Sequence, residues 1–162
     1  MNRLPDAKRM ATACSGPDDR AERSLTLELV STTIAVRHTL TVIRNHLCNE
    51  DYSVDFCGTA EIALAEAMNN VVRHAYPGQC AGMIRVLIHR KEFGIACEIL
   101  DHGRPFPQLT LPEGRRPSLN VARNALPEDG FGWFLIRKLT HDVRYRRIEA
   151  QNHLCFSISE TC

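Results

Sequence analysis

Thr59–Tyr76, TAEIALAEAMNNVVRHAY, is the stretch on which the fold turns. Ala60, Leu64, Met68, Val71 and Ala75 recur at helical spacing and make one apolar stripe. Glu66, Asn70 and His74 fall at i, i+4 and i+8, so they form a single polar row along the edge of that stripe. A carboxylate and a carboxamide held one turn apart beside a buried face can set a base next to a metal or a phosphate. The same row also suits a plain solvated edge, and helix geometry alone leaves both readings open.

Outward from this helix the pattern alternates between the two periods. Ser24–Val30 places Leu25, Leu27 and Leu29 on one side and reads as a strand. Thr32–Cys48 is an amphipathic helix, with Asp55 or Thr59 as the expected cap of the next one. Pro77-Gly78 ends the Thr59–Tyr76 helix. Met83–His89 and Phe93–Leu100 are strands joined at hairpin length. A long stretch with Pro107, Pro112, Pro117 and Pro127 and with Arg115, Arg116 and Arg123 follows, with a short helical turn expected within Ser118–Ala125. Phe131–Thr140 is a helix, led into by Asp129-Gly130. Val143–Ile148 and His153–Ile158 are strands, with Ala150–Asn152 as their turn. Hairpin-joined strands and three helices predict an α+β two-layer sandwich, a largely antiparallel mixed sheet covered on one face. Residues 1–23 read as a flexible extension and 24–162 as one domain.

The 162 residues carry 44% apolar and 24% charged side chains and a formal net charge of +1. That is an ordinary globular composition with no strong field for nucleic acid or anionic membrane. No run is long and apolar enough to span a bilayer. The seven cysteines contain no CxxC pair, which fits a reducing cytoplasm and no metal-thiolate cluster.

Two further motifs follow the helix. Asp101-His102-Gly103-Arg104-Pro105-Phe106 stands directly after a strand. Alone it is a common turn composition; functionally, it offers a carboxylate to a ring amine and a glycine for close approach. Gly130-Phe131-Gly132 opens a helix, where backbone N–H groups and the helix dipole favour phosphate.

In this order the three pieces resemble the GHKL ATP-binding superfamily (Bergerat fold), and more closely the small anti-sigma-factor serine/threonine kinases of the RsbW and SpoIIAB type. Glu66–Tyr76 matches the N-box E-A-x-x-N-x-x-x-H-A-Y, Asp101–Phe106 the box D-x-G-x-P-F, and Gly130–Ile136 the box G-x-G-x-x-L-I. The resemblance implies ATP and Mg²⁺ as cofactors. It implies Asn70 as the metal ligand, Glu66 as general base, and an arginine of the Arg115/Arg116 pair as the group that offsets charge on the transferred phosphoryl. It puts Asp101 on the adenine amine with Gly103 beneath the ring, and Pro105 and Phe106 beside it. Gly130, Phe131, Gly132, Trp133 and Phe134 fall at the phosphates. The resemblance also counts Arg73 and His74 of the N-box among the cofactor-binding residues, although the helical wheel alone makes Arg73 an edge residue and His74 a structural one. Trp133 stands where the family usually carries a leucine. The implied substrate is a STAS-domain anti-anti-sigma factor, the implied second partner a sigma factor or other regulator, and the implied assembly a homodimer. A non-catalytic binding module of the same fold is the competing expectation.

Overall fold

The computed structural model describes residues 24–78, 81–114 and 128–160. In chain order these form β1 (Ser24–Val30), α1 (Thr33–Asn49), α2 (Val54–Asn70) continued by a π-helical turn (Val71–Ala75), β2 (Met83–Lys91), β3 (Gly94–Asp101), a 3₁₀ turn (Pro107–Leu109), α3 (Glu128–Leu139), β4 (His141–Ile148) and β5 (Gln151–Ser159). The strands make one five-stranded sheet in the order β1-β2-β3-β5-β4. Every pairing in it is antiparallel, so the sheet is not mixed.

Burial alternates along β2 up to Ile88 and strictly along β5, and β3 between them is buried over most of its length. One face of the sheet therefore meets the helices. Ile84, Val86, Ile99, Leu154, Phe156 and Ile158 point into this layer and are almost fully buried. From the helical side come Val36, Ile43 and Leu47 of α1, Ala60, Leu64 and Met68 of α2, and Ile136 of α3. α2 lies between the other two helices and packs on both. Its small residues Ala60, Ala63 and Ala67 are wholly buried, which suits a helix with neighbours on two sides.

Several boundaries differ from the sequence reading. α2 begins at Val54 rather than Thr59. Its N-cap is Ser53, whose Oγ accepts the Phe56 N–H at 3.2 Å, and not Asp55 or Thr59. α3 begins at Glu128 rather than Phe131, so Asp129 and Gly130 lie inside the helix instead of leading into it. The β4–β5 turn is Glu149-Ala150, both in the left-handed region (φ 47° and 66°), which twists the hairpin as a two-residue turn requires. Asn152 consequently sits in β5, opposite Asp101, and not in the turn. Residues 1–23, the Ser118–Ala125 turn and the arginines Arg115, Arg116 and Arg123 lie outside the described residues.

Candidate active site

The end of α2 changes pitch at Asn70. From Val71 to Ala75 the chain runs as a single π turn, a conformation rare elsewhere and concentrated at functional sites. This turn is tied to the loop after β3. The Ala75 carbonyl accepts the Arg104 N–H at 2.9 Å, and the Tyr76 hydroxyl accepts the His102 N–H at 2.9 Å. Gly103 lies so close to Ala75 that a Cβ there would stand 2.5 Å from the Ala75 carbonyl oxygen. The glycine is thus needed for approach to the protein's own helix end, whereas the sequence reading gave it a place beneath a ligand ring. Tyr76, unremarked in the sequence beyond its motif letter, clasps the two segments.

Between them opens a cavity of about 410 Å³, within the ordinary size of small-molecule sites. Asn70, Val71, His74 and Ala75 line it from the helix side, and Asp101, Asn152 and the Arg104–Pro107 segment from the sheet side. Trp133 of α3 and Pro112 complete the wall. Phe106 meets Trp133 edge-on at 5.4 Å and Tyr145 edge-on at 5.0 Å, so an aromatic cluster holds that wall. Trp133 is thereby accommodated as a wall of the cavity.

Asp101 lies at its floor, only 4% exposed. Its Oδ1 accepts the Gly103 N–H at 2.8 Å and the Asn152 Nδ2 at 2.8 Å. Among the described residues Oδ2 takes no hydrogen bond and remains for a ligand donor. Burial pushes the Asp101 carboxyl above its ordinary value; the donors Asn152 and Gly103 and the nearby Arg147 guanidinium oppose that rise. Asn152 is itself fixed. Its Oδ1 accepts Tyr145 Oη at 2.7 Å and Arg147 Nη1 at 2.6 Å, so its amide nitrogen must face Asp101. The sequence signal for Asn152 pointed to a turn; its role depends on strand register with a residue far away in the chain.

Asn70 is 4% exposed, and its Nδ2 is buried without a hydrogen-bond partner, alone in this among the described side-chain atoms. A buried amide nitrogen left unpaired costs free energy that a bound acceptor would recover. Its Oδ1 takes a long bond from Arg73 at 3.3 Å. Arg73 also reaches Glu66 Oε2 at 3.9 Å. The arginine that the helical wheel puts on the edge therefore folds back over Glu66 and Asn70, two of the three members of the polar row. Glu66 is partly exposed, and Gly132 of α3 lies directly over its Oε2. No group of three His, Cys, Asp or Glu side chains among the described residues is placed to hold a metal. A magnesium ion here would take Asn70 Oδ1 and otherwise depend on phosphate and water oxygens, which is its usual mode of binding.

The structure does not bring every expected residue to the cavity. Phe131 stacks on Phe134 at 6.1 Å and is 46% exposed, away from the cavity lining. The N–H groups of Gly132 and Trp133 sit past the first turn of α3, where they belong to the helical ladder and are not free for phosphate. Gly130 lies in that first turn.

Residues 29–158 match the family model of the histidine kinase-like ATPase domain. The chain belongs to that family. The GHKL ATPase-type fold accounts for the antiparallel sheet under three helices and carries ATP as its implied ligand. Serine/threonine-protein kinase BtrW of Bordetella bronchiseptica is 28% identical to this family member over 131 residues, which cover 80% of the chain and 89% of that protein. The solved structure of the RsbU and RsbW domains of Rv1364c from Mycobacterium tuberculosis is 13% identical with a TM-score of 0.56, covering 84% of this chain and 32% of that one. At that identity the likeness to it is one of fold.

Proposed function

We propose that this ATPase-family domain is a cytoplasmic serine/threonine kinase that transfers the ATP γ-phosphoryl group to a STAS-domain anti-anti-sigma protein. In the same reading a homodimer of the chain holds a sigma factor or other regulator within a partner-switching circuit. The observation that carries it is the pair on α2: a partly exposed carboxylate, Glu66, one turn from a buried carboxamide, Asn70, whose Nδ2 has no partner. A domain that only binds has no use for a base at that place.

Asp101 Oδ2 accepts the adenine amine, and Asn152 holds the carboxylate in position for it. Asn70 Nδ2 donates to a phosphate oxygen. Magnesium, when bound, neutralises phosphate charge, and Asn70 Oδ1 is the protein oxygen to hold it. Glu66 takes the proton of the substrate hydroxyl as its oxygen bonds to the γ-phosphorus, and ADP departs with the electrons of the broken P–O bond. Arg73 lies over the same two residues and adds positive charge near the phosphates. Arg115 and Arg116 are assigned the transferred phosphoryl by motif position alone.

The test is incubation of the full chain with Mg-ATP and a STAS-domain protein drawn from its own genome. Phosphoserine or phosphothreonine on that protein, found by mass spectrometry, is the expected result. ATP binding without transfer would overturn the kinase reading and leave the non-catalytic binding module.

A further inference from the structure

Away from the cavity, two cysteines meet across the seam between α1 and α2. Cys48 lies in the last turn of α1 and Cys57 in the first turns of α2, with their sulfurs 3.1 Å apart. That separation is about 1 Å longer than a disulfide bond. Cys48 is exposed, whereas Cys57 is fully buried. One helical turn along from each, Arg44 of α1 pairs with Glu61 of α2. The seam is therefore held in register by an ion pair, and the two thiols are presented to each other by rigid helices rather than by a loop. The other described cysteines differ. Cys97 is buried in β3, Cys155 lies beside Glu98 on the sheet, and neither is hydrogen-bonded to another sulfur among the described residues.

We propose that Cys48 and Cys57 are an oxidative modification site that closes to an intramolecular disulfide in the presence of hydrogen peroxide. The exposed thiol meets the oxidant and the buried one resolves it. The Cys48 thiolate attacks one peroxide oxygen, the O–O bond breaks, and hydroxide leaves, giving a sulfenic acid. The Cys57 sulfur then bonds to the Cys48 sulfur and loses its proton, and the sulfenic oxygen leaves as water. Two thiols lose two electrons, and one peroxide is reduced to two waters. Burial keeps Cys57 as the thiol, above its ordinary value, while the neighbouring Arg44 charge opposes that shift and favours the thiolate when the proton is given up. The bond ties the end of α1 to the start of α2, the helix that carries Glu66 and Asn70, and it closes only the short connection through Tyr52.

The site is read directly by mass. Trypsin releases both cysteines in one peptide, Asn45–Arg73, with no Lys or Arg between. The full-length protein is treated with hydrogen peroxide, denatured, alkylated with iodoacetamide and digested. The expected peptide has lost two hydrogens and carries no alkyl group, and cleavage after Glu50 leaves its two halves joined until a thiol reductant is added. In Cys48→Ser, Cys57 stays reduced and is alkylated after denaturation. In Cys57→Ser, Cys48 stops at a sulfenic acid that dimedone traps. The buried Cys57 variant is the one at risk of misfolding, and the exposed Cys48 variant carries the test without it. Peroxide that drives wild-type Cys48 to sulfinic or sulfonic acid with Cys57 still alkylated, or a disulfide from Cys48 to another cysteine, overturns the proposal.

Discussion

Gly132 of α3 faces Glu66 of α2 so closely that a Cβ on the glycine would overlap Glu66 Oε2 and would stand 3.7 Å from Asn70 Oδ1. The second glycine of the GxG motif thus makes room for the proposed base. This is a different use of the residue from cradling a phosphate with its backbone.

Gly132→Ala should separate stability from activity. The obstacle is the tip of a flexible side chain, so the helix accepts alanine and the carboxylate moves. Alanine is favoured over glycine inside a helix by about 1 kcal/mol, so the melting temperature should hold or rise. Displacing a reacting group by roughly 1 Å costs about 100-fold, and phosphoryl transfer should fall on that scale. Single-turnover transfer rates beside thermal melts check it; unchanged transfer would remove Glu66 from the reaction.

Glu66→Gln and Asn70→Ala should fail in different ways. Loss of a general base lowers transfer by about 10²–10⁴-fold while nucleotide affinity stays near wild type. Asn70→Ala should weaken Mg-ATP binding yet leave the empty protein as stable as before, because the wild type already buries an unpaired Nδ2. Calorimetric titration with and without magnesium, together with melts of the empty proteins, distinguishes the two.

Asn152→Ala should impair base discrimination. Asp101 loses its Nδ2 donor, and Tyr145 and Arg147 lose their shared acceptor. Breaking such a buried network costs about 1–3 kcal/mol per orphaned group. The ratio of ADP to IDP affinity should fall, because Asp101 is no longer aimed at the ring amine. A variant that is merely less stable, with that ratio intact, would make Asn152 structural only.

The raised Asp101 carboxyl gives opposite pH signs for binding and for stability. Its native value lies above the unfolded one, so ionisation in the fold carries a penalty. That penalty is complete above the native value and is relieved as pH falls toward the unfolded value. Acidification through this window should stabilise the empty protein through this group. It should also weaken adenine binding, since the protonated carboxyl no longer accepts from the ring amine. Nucleotide affinity and melting temperature followed between neutral pH and about pH 4 test this, and Asp101→Asn should flatten both dependences.

Local signals made much of this molecule legible. The 3.6-residue period of Thr59–Tyr76 marked α2, alternation marked the strands, and Asp101 was visible because a carboxylate followed by Gly and Pro interrupted a strand pattern. The apolar stripe and the polar row of α2 needed no tertiary information, since both follow from chain geometry. Ser53, Asp55 and Thr59 are all good capping types, so local sequence does not choose between them, and the packing of α2 selects Ser53.

Sequence by itself determined the element types, the two-layer class and the clustering of Glu66, Asn70 and Asp101 into motifs of one family. Only the tertiary structure decided what surrounds them. Asn152 became the partner of Asp101 through the pairing of β3 with β5, a register that no local pattern encodes. Arg73 folded over the polar row, Gly103 became a spacer against Ala75, and Gly132 a spacer over Glu66. Each of these roles is a distance between segments remote in the chain. Such distances are set by packing of the whole core, whereas periodicity reports only which side of an element faces it.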